Sequence, residues 1–324
     1  MTVRRRSPLK VLDWNTLEIG EEFGPVEGVV SDALVKAHAF AVDDYGAWYF
    51  QASPFGGRIG HPMLLANEIA GMFQLSYESG PAYVGGLHAR NDIEFRRQIF
   101  IGQKVTLKAR HTDKYEKRAQ KYRILEGEVL DEHGNVCLLM RATETVGFWA
   151  STPVGQGMSK PPADAVTGKI PPGAPTVYEA NREVPLGAVL PSITKHTTLE
   201  QSIVYSGFRY GWAEGGVKAM RVSIHTDPNV AQDRGQPDAI VQGLCSATYI
   251  SELCTTFFGA RWLTTGHLST AFIHPVIVRD TLTAYALVKG WEGDGDRKRL
   301  RLDVWCKNQR GTVVTVGHAS AEVE

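Results

Sequence analysis

The sequence predicts an α+β fold built twice over, each copy made of one buried helix and a run of antiparallel strands. Three observations predict it. A proline-rich stretch divides the chain into parts of similar length, the parts repeat one another in register, and each sets an apolar helical segment ahead of alternating strands.

Composition sets the outer bounds. A chain of 324 residues suggests two domains at about 100–200 residues each. With 43% hydrophobic and 22% charged residues it can build a sizeable core. The 35 basic and 35 acidic residues cancel, so the basic excess of a nucleic-acid binder is missing. No run of about 18 apolar residues predicts a membrane span, and Arg4-Arg5-Arg6 leads into no apolar signal segment. Cys137, Cys245, Cys254 and Cys306 form no close pair suited to zinc or redox work. They read as buried free thiols in a reducing, cytoplasmic compartment.

Half of the 16 prolines fall between Pro153 and Pro191. Proline cannot join ladders or helix interiors, so this stretch reads as a linker crossing the surface. The expected division is an N-terminal copy over 1–150, a linker over 151–190 and a C-terminal copy over 191–324.

The repeat rests on a constant offset of 177 residues. Ile99-Phe100-Ile101 and then Val105 to Arg110 correspond to Val276-Ile277-Val278 and then Leu282 to Leu287. The turn Asp131 to Gly134 corresponds to Asn308 to Gly311. Both copies alternate as half-buried strands do, with Val105, Leu107 and Ala109 on one face and Thr106, Lys108 and Arg110 on the other. Leu300, Leu302, Val304 and Cys306 likewise alternate with Arg299, Arg301, Asp303 and Trp305. Gly134 and Gly311 suit antiparallel hairpins.

Pro62 suits a first helical position, Leu64, Leu65, Ile69, Met72 and Phe73 follow, and Gly80-Pro81 predicts the end. In the second copy Leu244, Ala247, Ile250, Leu253 and Phe257 keep helical spacing up to Gly259. Both helices are apolar nearly all round, so both should be buried. A curved sheet wrapped round a central helix satisfies this order.

That order, duplicated, resembles the double hotdog fold of MaoC-like dehydratases and R-specific enoyl-CoA hydratases. The motif of that family is Asp-x-Asn-Pro-x-His, followed by His-Gly at a helix start. The second copy has Ser223-Ile-His225-Thr-Asp227-Pro228, then Ala231, and Gln242-Gly243-Leu244 at the expected spacing of 17 residues from His225. The first has Asp44-Tyr-Gly-Ala-Trp48-Tyr49, then Gly60-His61-Pro62. Neither copy keeps the whole dyad: Met220 stands in the Asp slot of the second, and Tyr49 in the His slot of the first. Either the first copy keeps a modified site and the second is a relic, or groups of both copies meet at one site.

The resemblance implies a lyase that hydrates an enoyl-CoA or dehydrates a 3-hydroxyacyl-CoA, with no cofactor and no metal. Such chemistry needs a base near the operating pH, an acid for the α-carbon and donors for the thioester oxygen. Asp44 leads the catalytic candidates, and Tyr49 could donate or orient a water. His61, ahead of a helix, is a catalytic candidate that could bind substrate or simply cap the helix, and His225 is a candidate base or a relic of a non-catalytic half. Glu68, a carboxylate in an apolar helix, is either catalytic or on a polar edge with Asn67. Trp48, Arg58, Gly60, Arg97, Gln242 and Gly243 are the expected substrate-binding residues, with Arg96, Lys104 and the cluster Arg297 to Arg301 as further cations for CoA phosphates. A hotdog thioesterase, or a non-catalytic subunit that binds acyl thioesters, are the alternatives. The expected partner is a CoA thioester, with neither nucleic acid nor membrane, in a homo-oligomer.

Overall fold

A computed structural model describes residues 9–78, 86–117, 120–147, 165–207, 222–293 and 298–323. The first copy runs β1 (Lys10–Val11), β2 (Glu22–Val29), α1 (Asp32–Val42), α2 (Ala47–Phe50), α3 (Ala66–Gly71), a 3-10 turn (Met72–Leu75) and β3 (Tyr77–Glu78). It then adds β4 (His88–Phe95), β5 (Lys104–Lys117), β6 (Gln120–Asp131) and β7 (Val136–Val146). The second runs β8 (Ile193–His196), α4 (Leu199–Gly207), α5 (Pro228–Gln232), β9 (Ile240–Val241), α6 (Gly243–Phe258) and α7 (Ala260–Thr265). It closes with β10 (His267–Phe272), β11 (Val276–Ile277), β12 (Thr281–Glu292), β13 (Arg299–Asn308) and β14 (Val313–Glu322).

Ten strands form one sheet in the order β2-β5-β6-β7-β4-β10-β14-β13-β12-β8. Its midline is the antiparallel pair β4 and β10, where Arg90 to Glu94 lie opposite Ala271 to His267. The two copies therefore join edge to edge, and each half curves round its own helix. The offset survives in the strands. β5 and β12 start at Lys104 and Thr281, and β6 and β13 end at Asp131 and Asn308. Even the turn chemistry repeats. The Asp131 side chain accepts from the N–H groups of His133 and Asn135, and that of Asn308 from Arg310 and Thr312. The left-handed glycines Gly134 and Gly311 complete the two turns.

The alternation predicted for β5 holds, with Val105, Leu107 and Ala109 buried and Lys108 and Arg110 exposed. In β13 the second face is covered too, and Trp305 is buried although it alternates with the core residues. The cover comes from the segment expected to cross the surface as a linker. Over 165–191 this segment is seated on the second copy, where Leu190 and Gly187 donate to Ala286 and Val288 of β12. Val184, Ala188 and Leu190 enter the core. Gly168 packs against Trp305, which stacks on Tyr285 with ring centroids 5.4 Å apart.

The second helix matches its reading, since α6 ends at Gly259. The first is shorter than expected. Pro62 to Leu65 form turns, the helix occupies only Ala66–Gly71, and the 3-10 turn ends it well before Gly80-Pro81, which lies outside the described residues. The backbone before Ala66 is drawn out of helical form by hydrogen bonds to His61, described below. All six residues of α3 are buried. No helix among the described residues is long and apolar enough to cross a membrane.

Candidate active site

Asp44 is delivered by the end of α1. Ser31 caps the start of that helix by accepting from the Leu34 N–H. Asp43 ends it in the left-handed conformation (φ 52°), which Asp tolerates better than most residues. The Asp44 N–H then returns to Ala39 O at 3.0 Å, turning the side chain inward. Asp44 is 3% exposed. Its Oδ1 accepts from the Gly46 N–H at 2.9 Å and its Oδ2 from the Tyr49 hydroxyl at 3.0 Å. The spacing of five residues thus brings Asp44 and Tyr49 together, with Tyr49 donating to the carboxylate.

His61 arrives from the loop before α3. Its Nδ1 accepts the Met63 N–H at 2.9 Å, and its carbonyl accepts the Leu64 N–H. These two N–H groups are therefore not free for a thioester oxygen, as a helix start at Pro62 would have left them. With Nδ1 an acceptor, the proton of the neutral ring sits on Nε2. Nε2 lies 3.2 Å from Asp44 Oδ2, close but off the line of a hydrogen bond, and is buried with no other partner among the described residues.

Electrostatics fit this arrangement. Burial pushes the Asp44 carboxyl up, but His61, the Tyr49 hydroxyl and the Gly46 N–H bring it below the ordinary carboxylate value. Asp44 is therefore ionised at neutral pH. Burial and then the Asp44 charge push the Tyr49 phenol well above its usual value, so it stays protonated. Tyr49 is a donor here, not a base.

Further groups that the sequence reading passed over surround this trio. His38 of α1 lies with its ring 5.0 Å from that of His61 and 5.9 Å from that of Tyr205 on α4. Burial and the neighbouring His61 push its pKa well down, so it is neutral, and its buried Nε2 has no hydrogen-bond partner among the described residues. Glu252 of α6 and Lys195 of β8 form a pair at 3.0 Å. Burial, and next the charge of Asp44, raise Glu252 to about 7. Glu252 had a signal: it is the one charged residue in α6, the same argument that singled out Glu68 in α3. His38, on α1 just ahead of Asp44, stood in no motif, and Lys195 had no signal because only the chain's path brings it to the Asp43–Asp44 turn.

The remaining candidates are placed as follows. Glu68 and Asn67 are both buried, so neither lies on an exposed polar edge, and Asn67 donates to Tyr205 O at 2.8 Å. His225 donates from Nδ1 to Ile240 O at 2.7 Å, which leaves Nε2 as its acceptor. Met220, in the second copy's Asp slot, and Arg297 lie outside the described residues. Arg58 is committed to Asp32 and to Tyr49 O, which it reaches at 3.0 Å. It ties the start of α1 to α2. Trp48 is half-buried against the core and Arg97 is exposed. Gly60 and Gly243 are packing positions: a Cβ would meet Leu64 at 2.9 Å and the Phe272 ring at 2.8 Å respectively. Gln242 is the residue before α6 and is buried. Arg299 is spent on Thr265 O and Ser320 O. A groove of about 540 Å³ on the first copy, lined by Glu22, Lys108, Glu126 and neighbours, shares no residue with the Asp44 group.

Comparison with known proteins places this architecture. Residues 221–304 match the family described as "MaoC like domain". A solved structure described as a MaoC-like dehydratase is 17% identical, with a TM-score of 0.69 over 94% of this chain and 98% of its own. A MaoC-like dehydratase from Phytophthora capsici is 15% identical, with a TM-score of 0.63 over 94% of this chain and 97% of its own. A Mycobacterium tuberculosis protein described as having a double hotdog fold is 14% identical, with a TM-score of 0.61 over 96% of this chain and 98% of its own. No curated protein matches the sequence. The sequence match falls in the second copy, whereas Asp44, Tyr49 and His61 lie in the first. The chain is a double hotdog protein that resembles the MaoC-like dehydratases along its whole length and carries a MaoC-like domain in its second copy.

Proposed function

We propose that the chain is a hydro-lyase acting on acyl-CoA thioesters, adding water to an enoyl-CoA or removing it from a 3-hydroxyacyl-CoA, at the Asp44–His61 pair. One observation carries the reading: a buried, ionised carboxylate lies 3.2 Å from an imidazole whose Nε2–H has no well-aligned acceptor among the described residues. A buried donor left so is costly, and an oxygen of a reacting molecule beside the pair would supply the missing partner.

The proton count closes over a cycle. Water attacks the β-carbon as Asp44 takes its proton. Asp44 then gives a proton to the α-carbon while the His61 Nε2–H, 3.2 Å from Oδ2, donates a hydrogen bond to the reacting oxygen, and both groups return to their starting state. Tyr49 stays protonated throughout and keeps Asp44 oriented. The four buried free cysteines support a reducing, cytoplasmic setting.

Mass spectrometry of enoyl-, 3-hydroxyacyl- and saturated acyl-CoAs after incubation with the protein tests this. Gain or loss of one water with the thioester intact is the expected result, and Asp44→Asn should lower the rate by about 10²–10⁴-fold. Release of free CoA would replace the reading with a thioesterase, and no change across the panel would overturn both.

A further inference from the structure

The last carbonyls of a helix have no partner inside it, and at α1 those carbonyls lead directly into Asp44. Two side chains from the second copy supply partners. Gln201 of α4 donates to Phe40 O at 3.2 Å. Lys195 of β8 donates to Asp43 O, the carbonyl of the peptide that joins Asp43 to Asp44. A cation at a helix C-terminus also complements the helix dipole. Lys195 is 7% exposed, and a buried ammonium needs a counter-charge. Glu252 of α6 provides it at 3.0 Å. The Asp43–Asp44 turn is thus held from one side by the bond from Asp44 N–H to Ala39 O and from the other by the second copy.

We propose that Lys195 and Glu252 are positioning residues for Asp44: the second copy fixes the turn that aims the first copy's carboxylate at His61. The proposal rests on the reading of Asp44 as the catalytic carboxylate. Neither residue takes or gives a proton in the reaction. Lys195 holds the peptide, and Glu252 holds Lys195 in place. Four groups bear on Glu252: Lys195 from β8, Asp43 and Asp44 from the end of α1, and Tyr49 from α2. Removing Lys195 alone would leave Glu252 facing Asp44 with no cation between them. The informative variant is therefore the double substitution Lys195→Met with Glu252→Gln, which removes both charges.

Two readouts decide the matter. In steady-state kinetics on an acyl-CoA found to be turned over, the double variant should lose about tenfold to a hundredfold in kcat. Its KM should stay within about twofold, because the lost contact orients the reacting group and does not bind substrate. Lys195→Arg should recover part of the loss, since a guanidinium also reaches a carbonyl and a carboxylate. The second readout needs no turnover. In histidine-labelled protein, the Cε1 resonance of His61, assigned by its disappearance in His61→Gln, should move in the double variant as Asp44 leaves it. It should return towards its wild-type position in Lys195→Arg. A folded double variant with wild-type kcat and an unmoved His61 resonance overturns the proposal. If Asp44→Asn retains full turnover, or no acyl-CoA is turned over, the reading of the site fails instead, and the His61 resonance alone then decides whether Lys195 and Glu252 position Asp44.

Discussion

Asp44 has two donors on its carboxylate, and they are separable by mutation. Tyr49→Phe removes the hydroxyl but keeps the ring, so the carboxyl loses one of the groups that hold its pKa down. Its pKa should rise, because the hydroxyl's hydrogen bond favours the ionised form. Activity that needs the ionised carboxylate falls as pH drops through that pKa. The acid limb of the kcat/KM profile should therefore move to higher pH in Tyr49→Phe, and an unmoved limb would remove Tyr49 from the site. Glu252 has the opposite sign. Its carboxyl rises from 4.5 to about 7 on folding, so between those values the folded state binds a proton that the unfolded state has lost. Stability from this group therefore falls as pH rises through that window, by on the order of 3 kcal/mol at 1.36 kcal/mol per unit. Urea denaturation at pH 4.5 and pH 7.5 should show Glu252→Gln gaining on the wild type at the higher pH. An equal difference at both pH values would mean that Glu252 does not titrate in this range.

The elements show which features could be read from the sequence and which could not. Strand alternation and the turn glycines identified β5, β6, β12 and β13, because a sheet with one buried face writes its period directly into the sequence. The α6 helix was equally legible. The α3 helix was misjudged in length, because apolar spacing cannot report that His61 would claim the first N–H groups. The site was legible to the extent that it is local. Asp44 and Tyr49 lie five residues apart, and His61 sits in a loop whose motif gave it away. Lys195 of β8 and Glu252 of α6 come to the end of α1 only through packing of the second copy on the first, which leaves no spacing to read, and His38 lies on α1 ahead of Asp44 outside any motif. Close packing of helix on sheet makes its own prediction. At Gly127 of β6 a Cβ would come within 2.5 Å of Ile69 Cγ2 and 2.9 Å of Lys108 O. The Ile69 side chain can rotate, but the carbonyl in the ladder cannot give way. Gly127→Ala should cost about 1–3 kcal/mol in denaturant unfolding, and a neutral result would show that α3 can retreat from the sheet.

At the scale of the whole molecule the two copies depend on one another. Without the second copy, β4 would expose a free edge of unpaired N–H and C=O groups, and α1 would lose the side chains on its last carbonyls. A protein cut back to residues 1–150 should therefore dimerise through that edge or aggregate, as gel filtration would show. A stable folded monomer would mean that the seam contributes little. The sequence announced the duplication through one constant offset, yet it could not announce how the copies join. Residues 165–191 illustrate the limit: prolines marked them as irregular chain, but not as the cover that buries Trp305.

The seam between β4 and β10 has a consequence for how such a molecule can change over time. In a symmetric pair of separate chains, every substitution appears twice, once in each partner, so a residue that helps one site is forced upon the other. Fusing the copies into one chain removes that constraint. A lysine such as Lys195 of β8, which reaches the end of α1, can be kept on one side only, and the equivalent place on the other side is free to drift. Asp44 in one copy and Met220 in the corresponding slot of the other show that the two halves of this chain differ where a symmetric pair could not.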